Sequence, residues 1–362
     1  MSAPVYGPSD QEAIALLTQA VSLYSPSGQE QDVVRFLVAE MGRFGLDAYV
    51  DGVGNAVGHL GDGPREIVLL GHIDTVPGYI PVRREGDLLY GRGTVDAKGP
   101  FATFIIAAAR LLAARTASGA PSNTRVTLIG AVEEEAATSA GAYYAAQRYR
   151  PTCCVIGEPS GWHRIALGYK GRLLVDYELE RPMSHTAGQE RGACEQAVDF
   201  WLQLSRWAEQ YNQDKEQRFD SLDPSLRAIS SSDDGFRERV EMTIGLRLPL
   251  GLDVEALKAE MERWRDDARL THHAYEQPFR ADKRNPLTSA FLAAIRAEGG
   301  RAAFVFKTGT SDMNVVGPAW GCPIVAYGPG DSTLDHTPEE HISVTEYLQA
   351  IRVLTDVLSR LD

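Results

Sequence analysis

Two histidines and a set of carboxylates stand where a metal centre would need them. His72 and Asp74 directly follow the apolar run Ile67–Leu70, and Glu133-Glu134-Glu135 directly follows the run 126–132. Glu158 follows Cys153–Ile156, and His336 lies a short loop beyond the run Pro323–Tyr327. Asp96 ends the turn Gly91-Arg92-Gly93-Thr94-Val95, just before a helical stretch. In an open parallel sheet, ligand sites gather outside the carboxyl ends of the strands. These clusters therefore converge on one edge of one sheet. Imidazole nitrogen and carboxylate oxygen, without thiolate, suit zinc or a similar divalent ion. The acids are too many for one ion, because packed carboxylates repel and hold protons unless cations intervene. Two ions bridged by one carboxylate, roughly 3.5–4 Å apart, can activate a water and polarise a carbonyl. One remaining Glu then serves as general base for the water and as acid for the leaving amine.

Taken singly, each residue has an ordinary reading. A triple Glu suits a helix N-terminus, and Asp96 suits a helix cap. Gly91-Arg92-Gly93 does not continue as a phosphate-binding glycine motif, and no G-x-S-x-G elbow is present. The convergence carries the argument.

The elements that must position these residues are read from periodicity. Residues 11–20 and 30–44 carry helical apolar spacing, with Ser25-Pro26-Ser27-Gly28 as the loop between them. The runs 67–70, 126–132, 153–156 and 323–327 read as strands buried on both faces, with helices over 101–114 and 139–148 between them. This alternation predicts an α/β fold, a mostly parallel sheet flanked by helices. The middle of the chain differs. Strands over 172–180, 239–248 and 271–279 alternate with helices over 195–211 and 254–266, as in a small α+β unit with one exposed sheet face. The polar stretch 212–234 reads as a loop. The expected organisation is a discontinuous metal-binding domain, 1–166 and 277–362, interrupted by a second domain at 167–276.

At 362 residues the chain is long enough for two domains. Its formal net charge of −13 argues against nucleic acid and anionic membrane surfaces as main partners. The N-terminus has no basic start followed by an apolar core, and no window offers 18 consecutive apolar residues. Cys153, Cys154, Cys194 and Cys322 form no C-x-x-C and read as thiols packed like small apolar residues in a reducing, cytoplasmic setting.

Two segments then resemble a known family. Gly71-His72-Ile73-Asp74-Thr75-Val76-Pro77 and Tyr90-Gly91-Arg92-Gly93-Thr94-Val95-Asp96-Ala97-Lys98-Gly99 are similar to the signatures of the di-zinc amidohydrolases. That family includes acetylornithine deacetylase, succinyl-diaminopimelate desuccinylase, aminoacylases and several carboxypeptidases. The resemblance implies a zinc-exopeptidase fold with an inserted lid and dimerisation domain, a homodimer, and two Zn²⁺ per subunit, with Co²⁺ as an alternative. It implies that His72 and Glu158 bind one ion, Glu135 and His336 the other, and Asp96 both, with a cis peptide after Asp96. Asp74 would orient His72, and Glu134 would be the general base. The family usually has Asp-Glu-Glu where this chain has Glu133-Glu134-Glu135, so a shifted register with Glu133 as base and Glu134 as ligand is the alternative. His185 resembles the lid histidine that helps stabilise an oxyanion, a type of contact that contributes about 2.7–4 kcal/mol. Arg247 resembles the arginine that grips a substrate carboxylate. Gly309 and Thr310 resemble the loop that offers backbone N–H groups to substrate.

Within the family, residues 133–141 (EEEAATSAG), Ile156-Gly157-Glu158-Pro159-Ser160 and Leu167-Gly168-Tyr169-Lys170-Gly171-Arg172 resemble the branch that releases lysine or ornithine from an amino-group carrier protein. The substrate implied is an isopeptide between the amino acid's α-amino group and a carrier glutamate, in lysine or arginine biosynthesis. The alternative is deacetylation of acetylornithine or a related acyl amino acid. The chemistry is the same in both.

Overall fold

The structure is a computed structural model that describes residues 7–119, 122–183 and 190–362. These divide into two compact units. One comprises the described residues up to Gly168, Ala281–Phe306 and Ser311–Asp362; the other comprises Tyr169–Arg280 and Lys307–Thr310.

The first unit is built on a sheet whose centre is parallel. Strand Arg65–His72 lies between Thr124–Ala131 and Cys153–Gly157, parallel to both, and Ile324–Ala326 extends the parallel set beyond Cys153–Gly157. The margins are antiparallel: Ala56–Leu60 pairs with Thr124–Ala131 and Asp47–Val50 with Ala56–Leu60, while Arg164–Tyr169 meets Ile324–Ala326 on the other side. The α/β expectation is met, and the antiparallel margins are the addition.

Continuous apolar runs form the central strands because both faces are covered. Ile67, Leu69, Val126, Leu128, Cys153 and Val155 join one hydrophobic cluster with helices Asp10–Ser22, Lys98–Ser118, Pro286–Ala297 and Val344–Leu361. The alternate residues Val68, Leu70, Ile129, Cys154 and Ile156 are equally buried, on the side where Ala140–Arg148 and Asp312–Trp320 pack. Helix Lys98–Ser118 is long and apolar enough to cross a membrane by composition. It is instead a core helix: every residue from Lys98 to Ala109 is buried, which is why it is apolar all round.

The second unit has a four-stranded antiparallel sheet in the order Asp223–Asp233, Arg237–Leu248, Gly171–Pro182, Arg269–Glu276. Helices Ala193–Asn212 and Val254–Trp264 cover one face, with Val175, Tyr177, Phe200, Leu204, Ile244 and Leu257 in the core. One expectation fails here. The stretch read as a loop over 212–234 contains the strand Asp223–Asp233. It pairs along Arg237–Leu248 at the edge of the sheet, with its side chains exposed from Ser225 onward on both faces. Ladder hydrogen bonds need no apolar side chains, so an edge strand solvated on both faces leaves no periodic signal. A second expectation fails in part. All four cysteines are free, and Cys153 and Cys154 are buried, but Cys194 is exposed near the start of helix Ala193–Asn212.

Phe104 illustrates how the core supports the sheet. It is fully buried, meets Phe101 edge-on at 6.3 Å, and its ring lies 3.0 Å from where a Cβ on Gly157 would sit. Phe104→Ala should lower stability by about 3–5 kcal/mol, read as a fall in the urea midpoint with an unchanged slope. A shift near zero would mean that the ring is not packed as described.

Candidate metal centre

Parallel register delivers the candidate ligands. His72, the last residue of its strand, stands opposite Ala131, two positions before Glu133. Gly71 stands opposite Gly157, so Glu158 leaves its strand beside His72. Three strand ends thus release His72, Glu133–Glu135 and Glu158 at one edge, as the strand-end rule requires. Asp96 arrives from the turn that precedes helix Lys98–Ser118, and the Asp96–Ala97 peptide is cis. His336 arrives from the loop after Ile324–Ala326 and has a left-handed backbone, φ 61°.

The side chains fall into overlapping groups whose ligand atoms lie within 4.8 Å of one another. These are His72, Asp96 and Glu158; Asp96, Glu135 and His336; and His72, Glu134 and Glu135. Asp96 belongs to the first two. Its Oδ1 is 3.1 Å from His72 Nε2 and its Oδ2 is 3.0 Å from His336 Nε2. The His336 Nε2 is also 2.9 Å from Glu135 Oε1. This donor set, imidazole and carboxylate only, fits divalent ions.

Asp74 organises the edge. The Nδ1 of His72 lies 3.1 Å from the Asp74 carbonyl oxygen and 3.4 Å from its Oδ1, both acceptors. Two acceptors therefore favour a proton on Nδ1, which leaves Nε2 as the nitrogen available to an ion. The same carboxylate accepts the backbone N–H of Glu134 on Oδ1 (3.1 Å) and, on Oδ2, the N–H of Glu135 (3.0 Å) and the Ser27 hydroxyl (2.7 Å). Burial opposes ionisation of Asp74, yet the His72 hydrogen bond and charge, with those of Ser27 and Glu135, hold its carboxyl below the usual range.

The three consecutive glutamates have different surroundings. Glu133, at φ 60°, accepts the Thr138 hydroxyl at 2.6 Å and belongs to none of the ligand groups. Glu134 and Glu135 turn into the site. Desolvation raises the Glu134 carboxyl well above the usual range; His72 opposes this, while Asp312, Glu158 and Glu135 add to it. Desolvation and the Asp96 charge likewise raise Glu158. Hydrogen bonds to the Asp96 and Glu135 carboxylates lift His336 to about 10. These are the signs of acids crowded together, which cations relieve.

Of the residues expected to contact substrate, Arg247, Gly309 and Thr310 belong to the second unit. The Arg247 Nη1 donates to Thr310 Oγ1 at 3.2 Å. A Cβ at Gly309 would meet nothing within 4 Å, so no packing constraint demands glycine there. Ser311 caps helix Asp312–Trp320, accepting from the Met313 N–H at 3.2 Å. His185 lies outside the described residues.

Some residues that support the site had no signal in the sequence that tied them to it. Ser27 is one. Asn55 is another: its Oδ1 accepts the Val132 N–H (3.1 Å) and its Nδ2 donates to the Gly141 carbonyl (3.2 Å), bracing both ends of the loop that carries Glu133–Glu135. Gly141 is required there, since a Cβ would lie 2.4 Å from Asn55 Oδ1. Neither residue has a motif around it that could have flagged it.

Fold and site together define a metal-dependent hydrolase of amide bonds. The model of peptidase family M20/M25/M40 matches residues 68–360, and the chain belongs to that family. Over 360 residues, 98% of each chain, it is 46% identical to the [LysW]-lysine hydrolase of Deinococcus radiodurans. It is 28% identical to the [LysW]-lysine/[LysW]-ornithine hydrolase of Saccharolobus islandicus over 336 residues, covering 93% of this chain and 92% of that one. In fold it is similar to an M20 family metallo-carboxypeptidase from Sulfolobus solfataricus, with a TM-score of 0.78 at 17% identity over 96% and 98% of the two chains. It is also similar to a dinuclear metal-binding M20 peptidase from Bacillus subtilis, with a TM-score of 0.70 at 13% identity over 96% and 97%.

Asp74→Asn exchanges one acceptor oxygen for an NH₂ group that faces N–H or O–H donors. It should weaken metal binding by about 10–100-fold, measured by competition with a chelator. Unchanged affinity would show that Asp74 does not organise this edge.

Proposed function

We propose that the chain hydrolyses the isopeptide bond joining lysine, or ornithine, to the terminal glutamate of an amino-group carrier protein such as LysW. Whole-length likeness to [LysW]-lysine hydrolase supports the substrate. The chemistry rests on one observation: two groups of ligand atoms share Asp96 beside a Glu134 whose carboxyl is raised.

In this reading His72, Asp96 and Glu158 hold one divalent ion, and Asp96, Glu135 and His336 the other. Zinc suits the donors best, with cobalt as an alternative. Bound ions supply Lewis acidity, polarising the scissile carbonyl and lowering the pKa of water. The rest is done by the protein. His72 presents Nε2 because Asp74 holds Nδ1. Glu134 takes the proton of the attacking water and delivers it to the departing α-amino group, a task suited to a carboxyl with raised proton affinity. Its backbone N–H is fixed by Asp74, which aims the side chain. Arg247, with Thr310 and Gly309, binds the α-carboxylate of the amino acid, and His185 assists the developing oxyanion. The stretch 167–276 acts as lid and dimerisation domain between the two parts of the metal-binding domain, 1–166 and 277–362. The enzyme works as a cytoplasmic homodimer in lysine, and in some settings arginine, biosynthesis.

Glu134→Gln should lower kcat by about 10²–10⁴-fold while two equivalents of metal remain by elemental analysis. Normal turnover would transfer the base role to another residue. The substrate is tested by comparing lysine release from carrier-linked lysine with acetate release from acetylornithine; higher kcat/KM on acetylornithine would sink the carrier reading. Arg247→Ala removes a charged hydrogen bond worth about 1.5–3 kcal/mol, so KM should rise by roughly 10–100-fold; an unchanged KM would place the carboxylate elsewhere.

A further inference from the structure

The turn that presents Asp96 is held from far away in the sequence. Glu340 is fully buried. Its Oε1 accepts the backbone N–H groups of Gly93 (3.0 Å), Val95 (2.9 Å) and Asp96 (3.2 Å). Its Oε2 accepts from Arg92 Nη1 at 2.8 Å, and its carbonyl oxygen accepts the Gly91 N–H at 3.2 Å. Arg92, itself buried, also donates from Nε to the Gly78 carbonyl at 3.1 Å. Neighbouring N–H groups converging in this way form a nest for an anion, and Gly93, at φ 90°, permits the curvature. Here the anion is a side chain of the protein itself. With its donors and the Arg92 charge in place, the buried carboxylate is compensated.

Glu340 stands four positions after His336. It therefore ties the loop that carries His336 to the turn that carries Asp96. We propose that Glu340, backed by Arg92, is the positioning residue that keeps these two donors in register, and so governs the second ion site selectively. The proposal rests on the two-ion reading above. In the group His72, Asp96 and Glu158, two donors are set by the register of parallel strands. In the group Asp96, Glu135 and His336, two donors are set by Glu340. Loosening its grip releases the second group first.

The test is a cobalt titration of the metal-free full chain, followed by calorimetry and by the visible absorption of Co²⁺, with circular dichroism as a check of fold. The proteins compared are the unaltered chain, Glu340→Gln, Arg92→Lys and His336→Ala. The unaltered chain takes up two equivalents, and His336→Ala loses the weaker one. Glu340→Gln and Arg92→Lys keep the first equivalent and bind the second about 10–100-fold more weakly. The proposal is overturned if both variants bind both equivalents normally, weaken both alike, or fail to fold; the pair would then be a general stabiliser. In those cases the unaltered chain and His336→Ala still report on the two-ion reading. Fewer than two equivalents in the unaltered chain defeats that reading and the proposal with it.

Discussion

The carboxylate of Asp74 is the point on which the rest of the site depends. It is completely buried, and a buried charge is tolerated only when its lone pairs are met. Here they are met by a hydroxyl from the first helix–helix loop, by two backbone N–H groups from the Glu133–Glu135 loop, and by the imidazole of His72. One side chain therefore satisfies its own need for donors by drawing three segments together. The protonated nitrogen of His72 and the directions of Glu134 and Glu135 follow from the same requirement.

The sheet supplies the coarse placement on which this fine adjustment works. Parallel strands in register release their next residues side by side, and both faces are sealed by apolar packing, so the strand ends have little room to shift. Acids and imidazoles that would be ordinary surface residues on a loop are here forced within reach of one another. The repulsion among the carboxylates, only partly offset by His72, is what a cation placed there would relieve.

Much of this was legible in the sequence, for a physical reason. A strand buried on both faces must be a continuous apolar run, so the residue after such a run marks a strand end. His72, Glu133–Glu135 and Glu158 could be placed that way. The edge strand Asp223–Asp233 could not, because its side chains are solvated and its pairing is carried by the backbone. The supports of the site were illegible for another reason. Ser27 reaches Asp74 across 47 positions, Asn55 reaches Val132 across 77, and Glu340 reaches Asp96 across 244. No local pattern encodes such pairings, since each appears only when the chain has closed. Nothing local distinguishes the three glutamates of the triplet either; in the fold Glu133 accepts the Thr138 hydroxyl, while Glu134 and Glu135 join the candidate ligand groups.

The spread of the ligands along the chain also sets an order of events at the ribosome. The donors His72, Asp96 and Glu158 are synthesised early, while His336 follows Glu158 by 178 positions. At roughly 5–20 residues per second that interval is about 10–35 s. Through that interval a nascent chain carries every member of the first group but lacks the imidazole that completes the second. The group His72, Asp96 and Glu158 is thus complete before the group Asp96, Glu135 and His336, and the order of synthesis is the order in which the two sets of candidate ligands come to hand.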